Sequence, residues 1–120
     1  MGNPFCHVEL STTDTAKAKG FYGKLFSWTL EDVQMGPDMT YTLIKVGEGT
    51  GGGLMKHPVP GAPSQWMAYI LVDDVKASTE KAKSLGGTIV QDVIEVPNTG
   101  WMSIIKDPTG AIFGLWKAKS

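Results

Sequence analysis

Two acid–base residues stand two places apart near the start of the chain, His7 and Glu9 in the stretch CHVELSTT. If that stretch is extended, both side chains leave the same face, because successive strand residues point to opposite sides. A histidine and a carboxylate sharing a face can act as a base with a neighbouring acid, or as two ligands of a metal ion. His57 could join them by folding back, although no recognised spacing links the three. The ordinary alternative for His7 is a histidine that simply hydrogen-bonds on a half-polar strand. Cys6 is the single cysteine, so no internal disulfide can form. It alternates with His7 and belongs with Val8 on the opposite face, as a small apolar side chain. No second histidine is placed to make it a nucleophile. Gly51-Gly52-Gly53 resembles a phosphate loop in composition only. It lacks GxxxxGK[ST] and no helix follows, so a close-packed or bulged strand is expected.

The elements that must position these residues come twice, as strand, helix and three strands. Phe5 to Ser11 alternates with a period of two and forms the first strand. Asp14 follows as an N-cap whose carboxylate can accept from the first free amides of a helix. Ala18, Phe21, Tyr22 and Leu25 then fall at i, i+3, i+4 and i+7, one apolar helical face. Trp28 to Val33, Thr40 to Val46 and Gly52 to Lys56 are strands, punctuated by turns at Gly36-Pro37-Asp38 and Gly47-Glu48-Gly49. Residues 57–63 hold three prolines, which deny the backbone both helix and ladder, and form a linker. Trp66 to Val72, almost entirely apolar, is a strand expected to be buried on both faces. Asp74 repeats the cap, Val75 to Leu85 is the second helix, and Gly86-Gly87 stops it. Thr88 to Val96, Trp101 to Lys106 and Ala111 to Lys117 complete the second set. The halves, residues 4–56 and 64–117, align with Asp14 on Asp74, Leu25 on Leu85 and Gly53-Leu54 on Gly114-Leu115.

Composition sets the outer bounds. A chain of 120 residues has room for one domain, and 42% hydrophobic with 19% charged residues is globular, not disordered. Eleven basic and twelve acidic residues leave a formal charge of −1. With no basic stripe to neutralise phosphates, nucleic acid is not an expected partner. The apolar runs are far shorter than a membrane span, and Met1-Gly2-Asn3-Pro4 does not start a secretory signal. A cytoplasmic location is the expectation.

Three stretches resemble the vicinal oxygen chelate superfamily, which includes glyoxalase I, extradiol dioxygenases and the fosfomycin- and bleomycin-resistance proteins. CHVELSTTDTAKAKGFYGKLFSW is similar to the family's opening strand and helix. AYILVDDVKASTEKAKSLGG is similar to the strand and helix of its second half, and IIKDPTGAIFGLW to its closing hairpin. The resemblance implies an α+β fold of two βαβββ modules, whose curved mixed sheet makes a cup with helices outside. It also places four metal-ligand positions, one on the first and one on the fourth strand of each half. These fall on His7, Gly53, Met67 and Gly114. Glycine offers no donor atom, and a thioether is a poor ligand for hard or borderline divalent ions. A catalytic site needs about three protein ligands and an open position. No metal or other cofactor is therefore expected.

If the cup face carries those four positions, it carries their second neighbours too. The ligand-binding residues are then His7, Glu9, Met55, Met67, Tyr69, Ile112 and Trp116, with Gly53 and Gly114 leaving extra space between them. Such a surface suits a small, partly aromatic organic molecule, contacted by His7, Tyr69 and Trp116. The resemblance supports a metal-free binding protein first. The alternative is an enzyme of the glyoxalase, isomerase or dioxygenase kind, with His7 or Glu9 as base or partial metal ligand. Exposed strand edges and family habit make a homodimer the expected assembly, with exchange of halves allowed by the linker.

Overall fold

A computed structural model describes residues 2–37 and 39–119. The order is βαβββ, twice: β1 (Phe5–Thr12), α1 (Thr15–Leu25), β2 (Thr29–Gly36), β3 (Met39–Lys45), β4 (Gly52–Lys56), then β5 (Gln65–Leu71), α2 (Val75–Ser84), β6 (Thr88–Val96), β7 (Gly100–Lys106) and β8 (Ile112–Ala118). The α+β class of paired βαβββ modules expected from the sequence is the observed one, and element ends shift by at most three residues. Of the turn expected at Gly36-Pro37-Asp38, Asp38 lies outside the described residues, as does Met1 of the N-terminal stretch. No helix among the described residues is long and apolar enough to cross a membrane.

Close contacts divide the chain into two units. The first is His7–Met67; the second joins the chain up to Cys6 with the chain from Ala68 onward.

In the first unit the strands run in the order β2-β3-β4-β1. β1 and β4 are parallel, with Glu9 opposite Gly53, and β3 is antiparallel to β4, with Leu43 opposite Gly53. Parallel neighbours need a crossover, and α1 supplies it. The Asp14 carboxylate accepts from the Lys17 amide at 3.0 Å, as an N-cap should. Leu10, Ile44 and Leu54 form the core on the helix side, with Ala18, Tyr22, Trp28, Leu30 and Val46 packed against them. The apolar face expected on α1 is only partly used, since Phe21 and Leu25 are exposed. The Ala18–Tyr22 line meets the core, and Phe21 sits on the flank, edge-on to Tyr22 with ring centroids 5.0 Å apart.

The glycine run is a close-packed strand. A Cβ on Gly52 would collide with the Val8 carbonyl, and one on Gly51 would lie 3.0 Å from the Ile44 carbonyl oxygen. These two glycines let β4 approach its neighbours, and no anion cradle forms.

In the second unit the order is β6-β7-β8-β5, again with a parallel pair, β5 and β8. Asp74 caps α2 through the Ala77 amide at 3.1 Å. Gly86, at φ +97°, ends the helix in the left-handed region, and Gly87 donates back to the Ala82 carbonyl at 2.9 Å. Val72, Val75, Ile105 and Leu115 form the core. Inside it the Thr79 hydroxyl donates to the Val75 carbonyl at 2.6 Å and pairs with the Ser103 hydroxyl at 2.8 Å, so neither buried oxygen is left unmatched. The turn before β8 is tied by Asp107, whose carboxylate accepts from the Thr109 amide and hydroxyl and from the Ala111 amide. Those hydrogen bonds, Thr109's above all, hold the carboxyl below its usual range. β5 is not buried on both faces: Met67 and Tyr69 are buried, whereas Trp66 is 42% exposed. Its side chain leaves the strand beside the rings of Tyr22 and Trp28 instead.

Candidate functional site: a phenol between a histidine and a carboxylate

The period of β1 sends Leu10 to the helix side and His7 and Glu9 to the opposite face. On β4 that face carries Gly53 and Met55, and on β3 it carries Tyr41 and Leu43. Tyr41 reaches diagonally from β3. Its hydroxyl lies 2.7 Å from His7 Nε2 and donates to Glu9 Oε1 at 3.0 Å. The His7 and Tyr41 rings are nearly parallel, 22° apart with centroids at 6.3 Å.

Proton bookkeeping gives this cluster a direction. A phenol has one proton, and an ionised carboxylate only accepts. With Glu9 ionised and accepting that proton, the hydrogen shared by His7 Nε2 and the phenol oxygen belongs to the imidazole. Burial holds the His7 imidazole below the ordinary histidine range, so it is neutral at pH 7. As His7 Nδ1 takes up a proton from a bound molecule, the Nε2 hydrogen can pass to the Tyr41 oxygen and the phenol proton to Glu9, so the imidazole ends neutral and the carboxylate protonated.

The same phenol fills the place of a missing side chain. A Cβ built on Gly53 would overlap the Tyr41 hydroxyl and the end of its ring. The extra space expected at Gly53 is therefore absent, and the reason is Tyr41. On Gly114 the space is likewise taken, by the ring of Tyr69 on the adjacent strand, where the two residues are direct partners.

His7, Glu9, Met55 and Met67 belong to the first unit, and Tyr69, Ile112 and Trp116 to the second. The first unit brings His7 and Glu9 together through Tyr41. In the second, Gly114 lies between Tyr69 and Ile104, and Trp116 between Leu71 and Met102. Trp116 also covers Gly100, where a Cβ would lie 2.8 Å from its ring. His57 does not join His7 and Glu9: its Nδ1 accepts from the Val59 amide at 3.1 Å, within its own turn. The Cys6 thiol points to the Tyr69 carbonyl at 3.6 Å, and burial pushes its pKa up, which disfavours the thiolate. A shallow hollow of about 410 Å³ opens on the helix side beside Leu10, Thr12, Lys17 and Phe21, on the face away from His7.

Sequence reasoning missed Tyr41, which the alternation of β3 could have found. With Ile44 facing the core, Tyr41 must face the other way. The family's ligand positions lie on β1, β4, β5 and β8, and β3 carries none.

The metal positions implied by the family resemblance do not fit an ion. Gly53 and Gly114 supply no donor, and among the described residues no group of three or more His, Cys, Asp or Glu is placed to hold one. The gap between His7 and Glu9 contains the phenol.

Comparison with known proteins agrees with this fold. The Glyoxalase/Bleomycin resistance protein/Dioxygenase superfamily matches residues 5–115. "Putative glyoxylase CFP32" of Mycobacterium tuberculosis is 33% identical over 109 residues, covering 91% of this chain and 42% of that protein. The anthracycline biosynthesis protein DnrV of Streptomyces peucetius is 26% identical over 123 residues, covering 91% of this chain and 45% of its own. The chain thus spans less than half the length of these curated relatives. Methylmalonyl-CoA epimerase from Mycobacterium tuberculosis has the same fold at TM-score 0.70 and 18% identity, covering 97% of this chain and 88% of that one. Protein BH1468 from Bacillus halodurans superposes at TM-score 0.74 and 14% identity, covering 100% and 97%. The matched segment includes both βαβββ sets almost whole, and the chain belongs to the glyoxalase/bleomycin resistance protein/dioxygenase superfamily.

Proposed function

We propose that this chain binds a small organic molecule without a metal ion, with the face of the first unit around His7, Tyr41 and Met55 supplying its polar end. The observation that carries this reading is the Tyr41 hydroxyl, held by both His7 and Glu9 over Gly53. His7 and Tyr41 are half-buried, so a ligand can reach them, while the buried Glu9 keeps the phenol oriented. Met55, also half-buried on the same face, adds an adaptable apolar contact. The relatives named for anthracycline biosynthesis favour a ligand with fused aromatic rings and hydroxyl or carbonyl groups. Such groups match a phenol and a neutral imidazole. A second copy of the chain is the proposed partner, because β2 and β6 each have one neighbouring strand and present an open edge.

A thermal-shift screen of hydroxylated polycyclic aromatics in the presence of chelator tests this. Stabilisation by a hydroxyquinone that weakens in Tyr41→Phe supports the reading, and stabilisation that appears only with added metal contradicts it. Sedimentation at micromolar concentration should show twice the 12.9 kDa of one chain.

The directed hydrogen-bond chain favours one further reading, a proton-transfer enzyme with His7 or Glu9 as base. Relatives named as glyoxylases fit that class. Incorporation of solvent deuterium into a bound hydroxycarbonyl compound, lost in His7→Asn, would select it over binding alone.

A further inference from the structure

We infer that Tyr41 is the residue that closes the first unit to divalent cations, its hydroxyl standing where a cation bridging His7 and Glu9 would have to stand. The inference goes beyond the proposed ligand site by naming one side chain as the cause of metal independence. Two donors with metal-binding chemistry, an imidazole nitrogen and a carboxylate oxygen, converge on one point, and that point is a phenol oxygen at 2.7 and 3.0 Å. A divalent ion held by the same pair would sit about 2.0–2.2 Å from each atom. Ion and hydroxyl cannot share that gap.

The ring of Tyr41 completes the exclusion. It lies over Gly53, the position on β4 directly opposite Glu9, so the nearest place for a third donor is both empty of side chain and covered. A cation would have to displace the phenol and break two hydrogen bonds, and among the described residues no third His, Cys, Asp or Glu is placed to join His7 and Glu9. A Brønsted group thus occupies a Lewis acid's place. Removing the ring and supplying a carboxylate at position 53 restores three converging donors, and borderline ions such as Co²⁺ or Zn²⁺ suit a set of one imidazole and two carboxylates.

Co²⁺ alone is the probe, followed by calorimetry and visible absorption on the wild-type chain, on Tyr41→Ala combined with Gly53→Glu, and on that pair with His7→Ala added. The wild type should take up no stoichiometric Co²⁺, the double variant one equivalent, and the triple variant none. A second measurement does not depend on the double variant folding. Co²⁺ should broaden the His7 ring resonances in Tyr41→Ala and leave them sharp in the wild type. Wild-type uptake through His7 overturns both this inference and the metal-free reading of the site. A wild type that refuses Co²⁺, beside folded variants that refuse it equally, overturns only the role given to Tyr41 and leaves the ligand reading standing.

Discussion

Each unit has a glycine on its last strand with a tyrosine ring over it, but the two rings cover their glycines differently. In the first unit the far end of Tyr41 reaches Gly53 from β3, and in the second the flank of Tyr69 lies against Gly114 from the strand directly beside it. Where the first unit has His7 and Glu9 on β1, the aligned positions on β5 are Met67 and Tyr69. Of these two only Tyr69 lies in the second unit, so the same scaffold carries a hydrogen-bonded acid–base pair in one unit and a buried tyrosine ring packed on Gly114 in the other. One fold-level plan does not fix what a position does.

Substitutions can sharpen that contrast. The largest effects are expected where the units are alike. Leu54 is 0% and Ile105 1% exposed, each at the centre of its unit's core. Either one changed to Ala should cost about 2–5 kcal/mol in denaturant unfolding, because a cavity is left in a packed core. An effect confined to one of them would show that only one unit has a stabilising core.

The glycines should then separate. In Gly114→Ala the new methyl meets the flank of the Tyr69 ring, which is 4% exposed and has little room to move. That overpacking should cost about 1–3 kcal/mol. In Gly53→Ala the methyl meets the free end of Tyr41, a half-buried side chain that can turn aside. Stability should fall less, while the contacts of Tyr41 with His7 and Glu9 are lost. Equal costs at the two glycines would contradict the distinction drawn between the tyrosines.

Ser103→Ala should cost about 1 kcal/mol, since the buried Thr79 hydroxyl loses one partner and keeps the Val75 carbonyl. Tyr41→Phe should cost about as much in the first unit by removing the phenol from its two partners. The smallest effect is on pH dependence. The folded His7 titrates below its unfolded value of 6.5, so the unfolded chain binds more protons as the pH drops past 6.5. The stability contributed by neutral His7 is complete above that pH and declines as pH falls toward the folded pKa. His7→Asn should flatten the unfolding free energy over that window. A slope unchanged in the variant would place the titration elsewhere.

The repeated order of elements was legible because period-two alternation, Asp14 and Asp74 as caps, and Gly86-Gly87 as a helix stop are local signals. Both caps and all ten elements follow from them. Burial was less legible. Phe21, Leu25 and Trp66 look like core residues, yet they are exposed, because periodicity gives a face and not the extent of what covers it. The pairing of His7 with Glu9 could be read from their spacing along one strand. Alternation along β3 puts Tyr41 on the same side of the sheet, but its meeting with His7 and Glu9 depends on β3 lying beside β4, a tertiary fact. The glycines misled for the same reason: a missing side chain reads as space until the neighbouring strand is known to fill it.

The most direct test is the nitrogen spectrum of the His7 ring across pH, in the wild type and in Tyr41→Phe. A neutral ring with hydrogen on Nε2 at pH 7, a pKa below 6.5 and a change of tautomer balance in Tyr41→Phe are the expected result. A ring with hydrogen on Nδ1 in the wild type, or a titration unaltered by loss of the phenol, would contradict the hydrogen-bonded centre on which this account rests.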